Sequence, residues 1–343
     1  MKRYIPVVLL LLFLLFPPST VSAVYDPFSA PNNTFGVHIL DPSEIFDAVK
    51  LVNTAGGSWG YLTVPIRSDD RNRYKWQQFF RKCSELKIIP IVRLTTYFTG
   101  VNWTTPTSND LVDFANFLND MPWPIKNRYI ILFNEPNHAN EWGGEVNPGQ
   151  YLSIILSARE IFKTRSDDFF LLSAGLDMSA PNNSTSMDAL DFYRRMFLLD
   201  VDWPKEIDGF SFHAYPNPGF SAAPSATGRF NIGSYRYELR LINKFYPSQK
   251  PYIISETGSV FPDKYYRPAI KYFFSDPEIF AVTPFLLFAG EGNFSRFSLL
   301  DKNYSPTSAH RYLSSIPKIS GSPLLSDPED RLYLWLYEMV ISP

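Results

Sequence analysis

Eight apolar runs begin near residues 34, 61, 88, 129, 169, 209, 252 and 282, and a stretch with helical spacing follows each. The runs are apolar throughout rather than alternating, as in Ile88-Ile89-Pro90-Ile91-Val92 and Tyr129-Ile130-Ile131-Leu132-Phe133. A strand covered on both faces reads this way, because helices flank both sides of a parallel sheet. Regular alternation of such strands with helices leaves a closed barrel or an open doubly wound sheet. Eight units in about 250 to 300 residues match the barrel in count and size. No Gly-x-Gly-x-x-Gly follows any run to support the dinucleotide site of an open sheet. The expected fold is therefore α/β, a single (β/α)8 barrel with its core over residues 34–316.

Local punctuation agrees with that order. Asp41-Pro42-Ser43-Glu44 carries a capping aspartate, a proline suited to the first helical position and an acid placed to reach back. Helices are expected over 45–55, 74–86, 108–118, from near 148, and over 187–199, 235–245, 266–274 and 307–316. Pro65 weakens the second strand, since proline withdraws a ladder donor. Pro136 is expected to end the fourth. Beyond Pro317, residues 331–337 read as a short C-terminal β extension.

Residues 1–23 follow the secretory pattern, with Lys2 and Arg3, an apolar run over 5–16, and a small-residue ending at Val21-Ser22-Ala23. Cleavage after Ala23 would leave 24–343 as the barrel domain, secreted or periplasmic. An uncleaved membrane anchor is the alternative, although the run is shorter than the roughly 20 residues that span a bilayer. The net charge of −2 gives no electrostatic footprint for nucleic acid or an anionic membrane. Cys83 is the only cysteine, so no internal disulfide can form, and its place in an amphipathic stretch makes it a buried apolar residue. The four histidines show no metal-ligand spacing, and no Gly-x-Ser-x-Gly occurs. Neither a metal nor a cofactor is expected.

In a barrel of this kind the chemistry sits at the carboxyl ends of the strands. The polar residues expected there are His38, Arg67, Arg93, Asn134, Glu135, His213, Tyr215 and Glu256, with Glu291 and Asn293 in the last loop. Glu135 and Glu256 close otherwise apolar strands, the fourth and the seventh, which lie across the mouth from each other. Two facing carboxyls suit glycoside hydrolysis, in which one protonates the leaving oxygen while the other attacks the anomeric carbon or activates water. An acid that must stay protonated near neutral pH needs a raised pKa, and a neighbouring carboxylate raises it. When the nucleophile becomes an ester its charge disappears, and the same acid can serve as base for water.

Asn134-Glu135-Pro136 at the end of strand four, His213-Ala214-Tyr215 at the end of strand six and Glu256 at the end of strand seven together resemble the retaining glycoside hydrolases of clan A. The likeness covers residues 35–316 by order and spacing. It implies Glu135 as acid/base, Glu256 as nucleophile, Asn134 as donor to the sugar 2-hydroxyl and Tyr215 as the partner that orients Glu256. His213 would line the same pocket. Members of the clan often carry an arginine on strand two and a tryptophan ending strand eight; here Arg67 follows Pro65-Ile66, Arg93 on strand three could substitute, and Phe288 stands near the tryptophan position. His38 and Trp142 are further substrate-binding candidates, Trp142 because it closely follows the acid/base loop. The expected partner is an oligo- or polysaccharide acted on by a monomer, with no membrane contact beyond the leader. A transglycosylase shares every residue named, and a non-catalytic carbohydrate-binding barrel is the reading from a different class.

Overall fold

A computed structural model describes residues 24–247 and 249–326; the predicted leader and the predicted extension at 331–337 lie outside the described residues. Strands β1 (Gly36–His38), β2 (Gly60–Arg67), β3 (Ile88–Thr95), β4 (Arg128–Ile131), β5 (Phe169–Leu172), β6 (Phe210–His213), β7 (Tyr252–Thr257) and β8 (Ile279–Pro284) alternate with helices. The helices are α1 (Ile45–Val52), α2 (Arg73–Glu85), α3 (Ser108–Asn119), α4 (Pro148–Lys163), α5 (Ala189–Leu199), α6 (Tyr235–Phe245), α7 (Pro262–Phe274) and α8 (Ser308–Ser315). Strands β1 to β5 pair in order and β6 to β8 pair in order, all parallel. Single parallel bridges, Leu172 to Gly209 and Phe35 to Val282, join the two sheets where full ladders are missing. The chain is a (β/α)8 barrel with two thin seams.

Why these residues build it is visible in the parity of the strands. Leu62, Val64, Ile66, Val92, Leu94, Ile130 and Leu132 belong to the apolar layer between barrel and helices. Tyr61, Ile89, Ile91, Tyr129, Ile131, Phe170, Ile253 and Phe280 form a second cluster inside the barrel. Both faces are apolar, which is why the runs do not alternate. The interior changes along its axis. Tyr129, Phe170 and Phe280 pack ring to ring near the amino ends of their strands. Above them small hydroxyls bond across the barrel: Thr63 Oγ1 to Thr283 Oγ1 at 3.0 Å, and Ser211 Oγ to Ser255 Oγ at 2.6 Å. At the carboxyl ends the interior becomes His38, Arg93, His213 and Glu256, all buried.

The capping box at Asp41 and Glu44 forms as the sequence implies, around a short 3-10 turn that leads into α1. Pro65 and Pro90 both sit inside strands without breaking them. Strand β1 pairs with Tyr61–Thr63 and stops short of Pro65. Strand β4 pairs from Ile91 onward and leaves Pro90 outside that ladder. Each proline thus removes a donor where one neighbouring strand makes no ladder contact. Strand β8 begins and ends earlier than the apolar run 282–288 suggests, because Ile279 and Ala281 pair beside Tyr252 and Ile253.

Candidate active site

Strand β4 stops at Ile131, before Pro136, so the proline does not end it as expected. Leu132 still donates to the Leu172 carbonyl at 3.0 Å, and then Phe133 turns to φ +72° and Glu135 to φ +33°. Side-chain-bearing residues rarely adopt such backbone, which costs on the order of 1 to 3 kcal/mol each. Packing supplies the restraint: Phe133 meets Phe114 and Trp142 edge to face, and the Glu135 N–H donates to the Gly175 carbonyl at 3.2 Å. The kink swings the Glu135 side chain over the barrel mouth.

Glu256 arrives by a different irregularity. Ile253 lies in the barrel interior and Ser255 bonds inside it, so strict alternation would turn Glu256 outward. The β6–β7 register slips between Phe212 and His213, so that His213 pairs with Glu256 rather than with Ser255. A slip of this kind re-aims a side chain.

Around Glu256 the contacts are dense. Arg93 Nη1 donates to its Oε1, the Tyr215 hydroxyl donates to its Oε2 at 2.8 Å, and His38 Nδ1 lies 3.6 Å from Oε1. His213 Nδ1 is 2.6 Å from Glu135 Oε1 and 3.8 Å from Glu256 Oε2, so one imidazole spans both carboxyls. Asn134 Oδ1 accepts from Arg93 Nη1 at 3.0 Å, and Asn134 Nδ2 donates to Glu141 Oε2 at 3.2 Å.

Electrostatics separate the groups. Burial works to raise the Glu256 carboxyl, but His213, Arg93 and the Tyr215 hydroxyl outweigh it and hold the group well below the usual carboxylate range. Burial works to lower His213, and facing Glu256 and Glu135 lifts it above an ordinary histidine. His38 is fully buried and pushed down to about 3 by burial and by Arg93, so it stays neutral beneath Glu256. Glu141 is pushed up to about 7, first by burial and then by the charge of Glu135.

A cleft of about 360 Å³ opens over these groups. Arg93, Asn134, Glu135, Tyr215 and Glu256 line it. His213 is buried immediately beneath, and His38 lies too deep to meet a substrate, so its place is under Glu256 rather than on a ligand. Trp142 is the clearest correction. It is 1% exposed, packed between Phe133 and Tyr151 with its indole N–H donated to Gln150 Oε1 at 3.0 Å, and it forms part of the core. The tryptophan on the cleft is Trp103, whose loop docks on the turn after β4 through Trp103 N–H to Asn140 O at 2.8 Å. Arg67 stands at the cleft edge tied to Asp69, leaving Arg93 as the guanidinium on Glu256. Phe288 stacks on Tyr304; Phe285, Phe294 and Phe297 are the aromatic residues past β8 that line the cleft.

Two lining acids escaped the sequence reading. Glu141 ends a 3-10 turn, Ala139–Glu141, and Asp177 lies beyond β5 held by His138 Nε2 at 3.0 Å and Ser179. Nothing in the sequence separates them from solvated loop acids; only the folding of their loops over the mouth does.

One oxygen each of Glu135 and Glu256 and one ring nitrogen of His213 lie within 4.8 Å of one another, a donor set that could hold a metal ion. Two of those donors already bond each other, and the Arg93 guanidinium sits on Glu256, so a cation would meet a fixed positive charge. What the arrangement offers chemically is one ionised carboxylate and, facing it, a second carboxyl sharing a hydrogen bond with an imidazole.

No family model and no curated protein matches this chain. Solved structures do. A monomeric β-xylosidase from Caulobacter crescentus superposes with a TM-score of 0.58 at 13% identity over 87% of this chain and 71% of the other. An endoglucanase from Thermotoga maritima gives 0.56 at 15% over 85% of this chain and 100% of the other. A β-glucanase from Saccharophagus degradans in complex with cellotetraose gives 0.51 at 15% over 82% and 86%. At such identities the likeness is one of fold, and the fold in common is the (β/α)8 barrel.

Proposed function

We propose that this chain is a secreted glycoside hydrolase that cleaves β-linked sugars with retention, Glu256 acting as nucleophile and Glu135 as acid/base. The observation that carries the reading is the approach of one oxygen of each carboxyl to within 4.8 Å of the other over a single buried imidazole. Retaining enzymes hold their carboxyls about 5 to 5.5 Å apart, whereas inversion needs roughly 6.5 to 9.5 Å to admit a water between them. The electrostatics support the same division of labour, since Arg93 and Tyr215 keep Glu256 ionised for attack.

In the first step a Glu256 oxygen bonds to the anomeric carbon, the glycosidic C–O bond breaks, and the leaving oxygen takes the proton shared by Glu135 and His213. Water then gives a proton to Glu135 and attacks the anomeric carbon, releasing Glu256 as carboxylate. Asn134, held by Arg93 and Glu141, keeps its amide oriented toward the sugar. The tyrosine and the arginine hold the nucleophile in one rotamer.

Turnover of aryl β-glycosides tests the assignment. Glu256→Gly is expected to lose turnover and, with azide added, to release a glycosyl azide inverted relative to the normal product. Unchanged hydrolysis by that variant would sink the reading. Glu135→Gln should slow poor leaving groups by about 10² to 10⁴-fold, with much smaller losses on activated aryl groups.

A further inference from the structure

The two sides of the cleft differ in chemistry. Six of its hydrogen-bonding groups, Arg93, Asn134, Glu135, Glu141, Tyr215 and Glu256, crowd together over the barrel mouth, with Arg67, Thr95 and Asp177 also on the lining. Beside them stands a wall without a side-chain donor or acceptor, made of Leu40, Phe220, Phe285, Phe294 and Phe297 from the loops after β1, β6 and β8. The phenylalanines touch one another edge to face, with interplanar angles of 84° for Phe285–Phe294, 80° for Phe220–Phe297 and 72° for Phe285–Phe297. Rings so inclined present no flat platform for a sugar face, and a hydroxyl buried against them would lose its water without gaining a partner.

The outer part of this wall is open to solvent, with Phe294 54%, Leu40 43% and Phe220 38% exposed, while Phe285 and Phe297 are buried behind it. Apolar surface gathered at the edge of a cleft marks a place where something apolar binds. Phe220 is also held there at a cost, with φ at +56° in the left-handed region. Its carbonyl accepts from Ser259 Oγ at 2.8 Å and from Val260 N–H at 3.1 Å, so the loop after β7 pins the ring in place.

We infer that the cleft takes an amphiphilic saccharide, with one sugar ring over the carboxyls and an alkyl, acyl or aryl group along the phenylalanine wall. The inference rests on the glycosidase reading for its sugar half. The polar groups over the mouth take the sugar, and the wall suits a substituent that needs no hydrogen bonds.

Two substrate series locate the apolar group. Methyl, butyl and octyl β-glycosides of glucose, xylose, galactose and mannose carry the chain on the leaving group, while 6-O-acyl hexosides with a methyl aglycone carry it on the retained ring. In one series KM falls with chain length, by about fourfold for each methylene that reaches the wall. In Phe220→Ser and Phe294→Ser that dependence flattens, with thermal unfolding recorded to show that both variants fold. Calorimetric binding of the same glycosides to Glu256→Gln reads the wall without turnover. Affinity that rises with chain length in Glu256→Gln, with no sugar hydrolysed by the wild type, would leave the wall standing and remove the glycosidase reading. Hydrolysis with KM independent of chain length in both series would overturn the inference. So would equal retention of wild type and Phe294→Ser by glycosides of every length, or adsorption to plain phosphatidylcholine vesicles that the two phenylalanine substitutions abolish, which would make the wall a membrane contact.

Discussion

Glu141 and Trp142 are neighbours in sequence with opposite fates, and the difference is testable at each. Glu141 faces Asn134 and Glu135 and is pushed up to about 7 by burial and by the Glu135 charge, so it ionises within the working range of the cleft. The pH profile of kcat/KM should carry an inflection near 7 that is absent from Glu141→Gln. An inflection that survives the substitution belongs to another group. Trp142→Ala removes a buried indole from between Phe133 and Tyr151 and should cost about 3 to 5 kcal/mol in a urea titration. Since Trp142 does not line the cleft, KM should move less than it would for Trp103→Ala; the reverse order would return Trp142 to the substrate. An aromatic residue close to a catalytic loop reads the same in sequence whether it faces sugar or core, because burial is decided by elements far along the chain.

At the scale of elements, both carboxyls depend on departures from regular strand. The β4 exit uses positive φ at Phe133 and Glu135, and β7 uses a register slip against β6. The loop after β5 completes the arrangement by passing close under His213: a Cβ added to Gly175 would lie 2.2 Å from His213 Cδ2 and 2.6 Å from its Nε2. Gly175 does not have positive φ, so alanine there is a steric change and not a backbone one. Gly175→Ala should displace the imidazole from Glu135 and lower kcat by about 10²-fold, the size of loss that a misplacement of about 1 Å produces. Full activity in a folded Gly175→Ala would show that His213 is not needed where it stands. Strand order, the Asp41 capping box and Glu256 near the end of β7 were legible because apolar periodicity and helix caps are local signals. The bulge, the early end of β4 and the shift of β8 were not, since each depends on how a neighbouring strand pairs.

For the whole molecule the buried acids set a pH dependence of stability. Burial pushes Glu44 and Glu141 up to about 7 and pushes the fully buried Glu238 of α6 up as well. In the unfolded chain these groups titrate near 4.3. A raised folded value favours the folded state at low pH, fully so below the unfolded pKa, and that contribution is lost as pH rises through about 7. His138 and His213, both raised, act in the same direction. Glu256, held low, contributes above its unfolded pKa and loses that contribution only in strong acid. His38 and His310, held low, act the other way up to the unfolded pKa near 6.5, so the urea midpoint should fall between about pH 6.5 and pH 8, and the fall should be smaller in Glu238→Gln; a midpoint that rises over this window would contradict the assignment.

The sequence alone determined the eight strand–helix units and put Glu135 just beyond the fourth strand and Glu256 near the end of the seventh, because apolar runs and caps act over a few residues. Tertiary structure decided which way those side chains point and what surrounds them. Arg93 and not Arg67 reaches Glu256, Trp103 and not Trp142 faces the cleft, and Glu141 joins the site. The physical reason is one of range. A strand end is a local event, whereas the direction of a side chain follows from register, backbone sign and the packing of residues far apart in the chain.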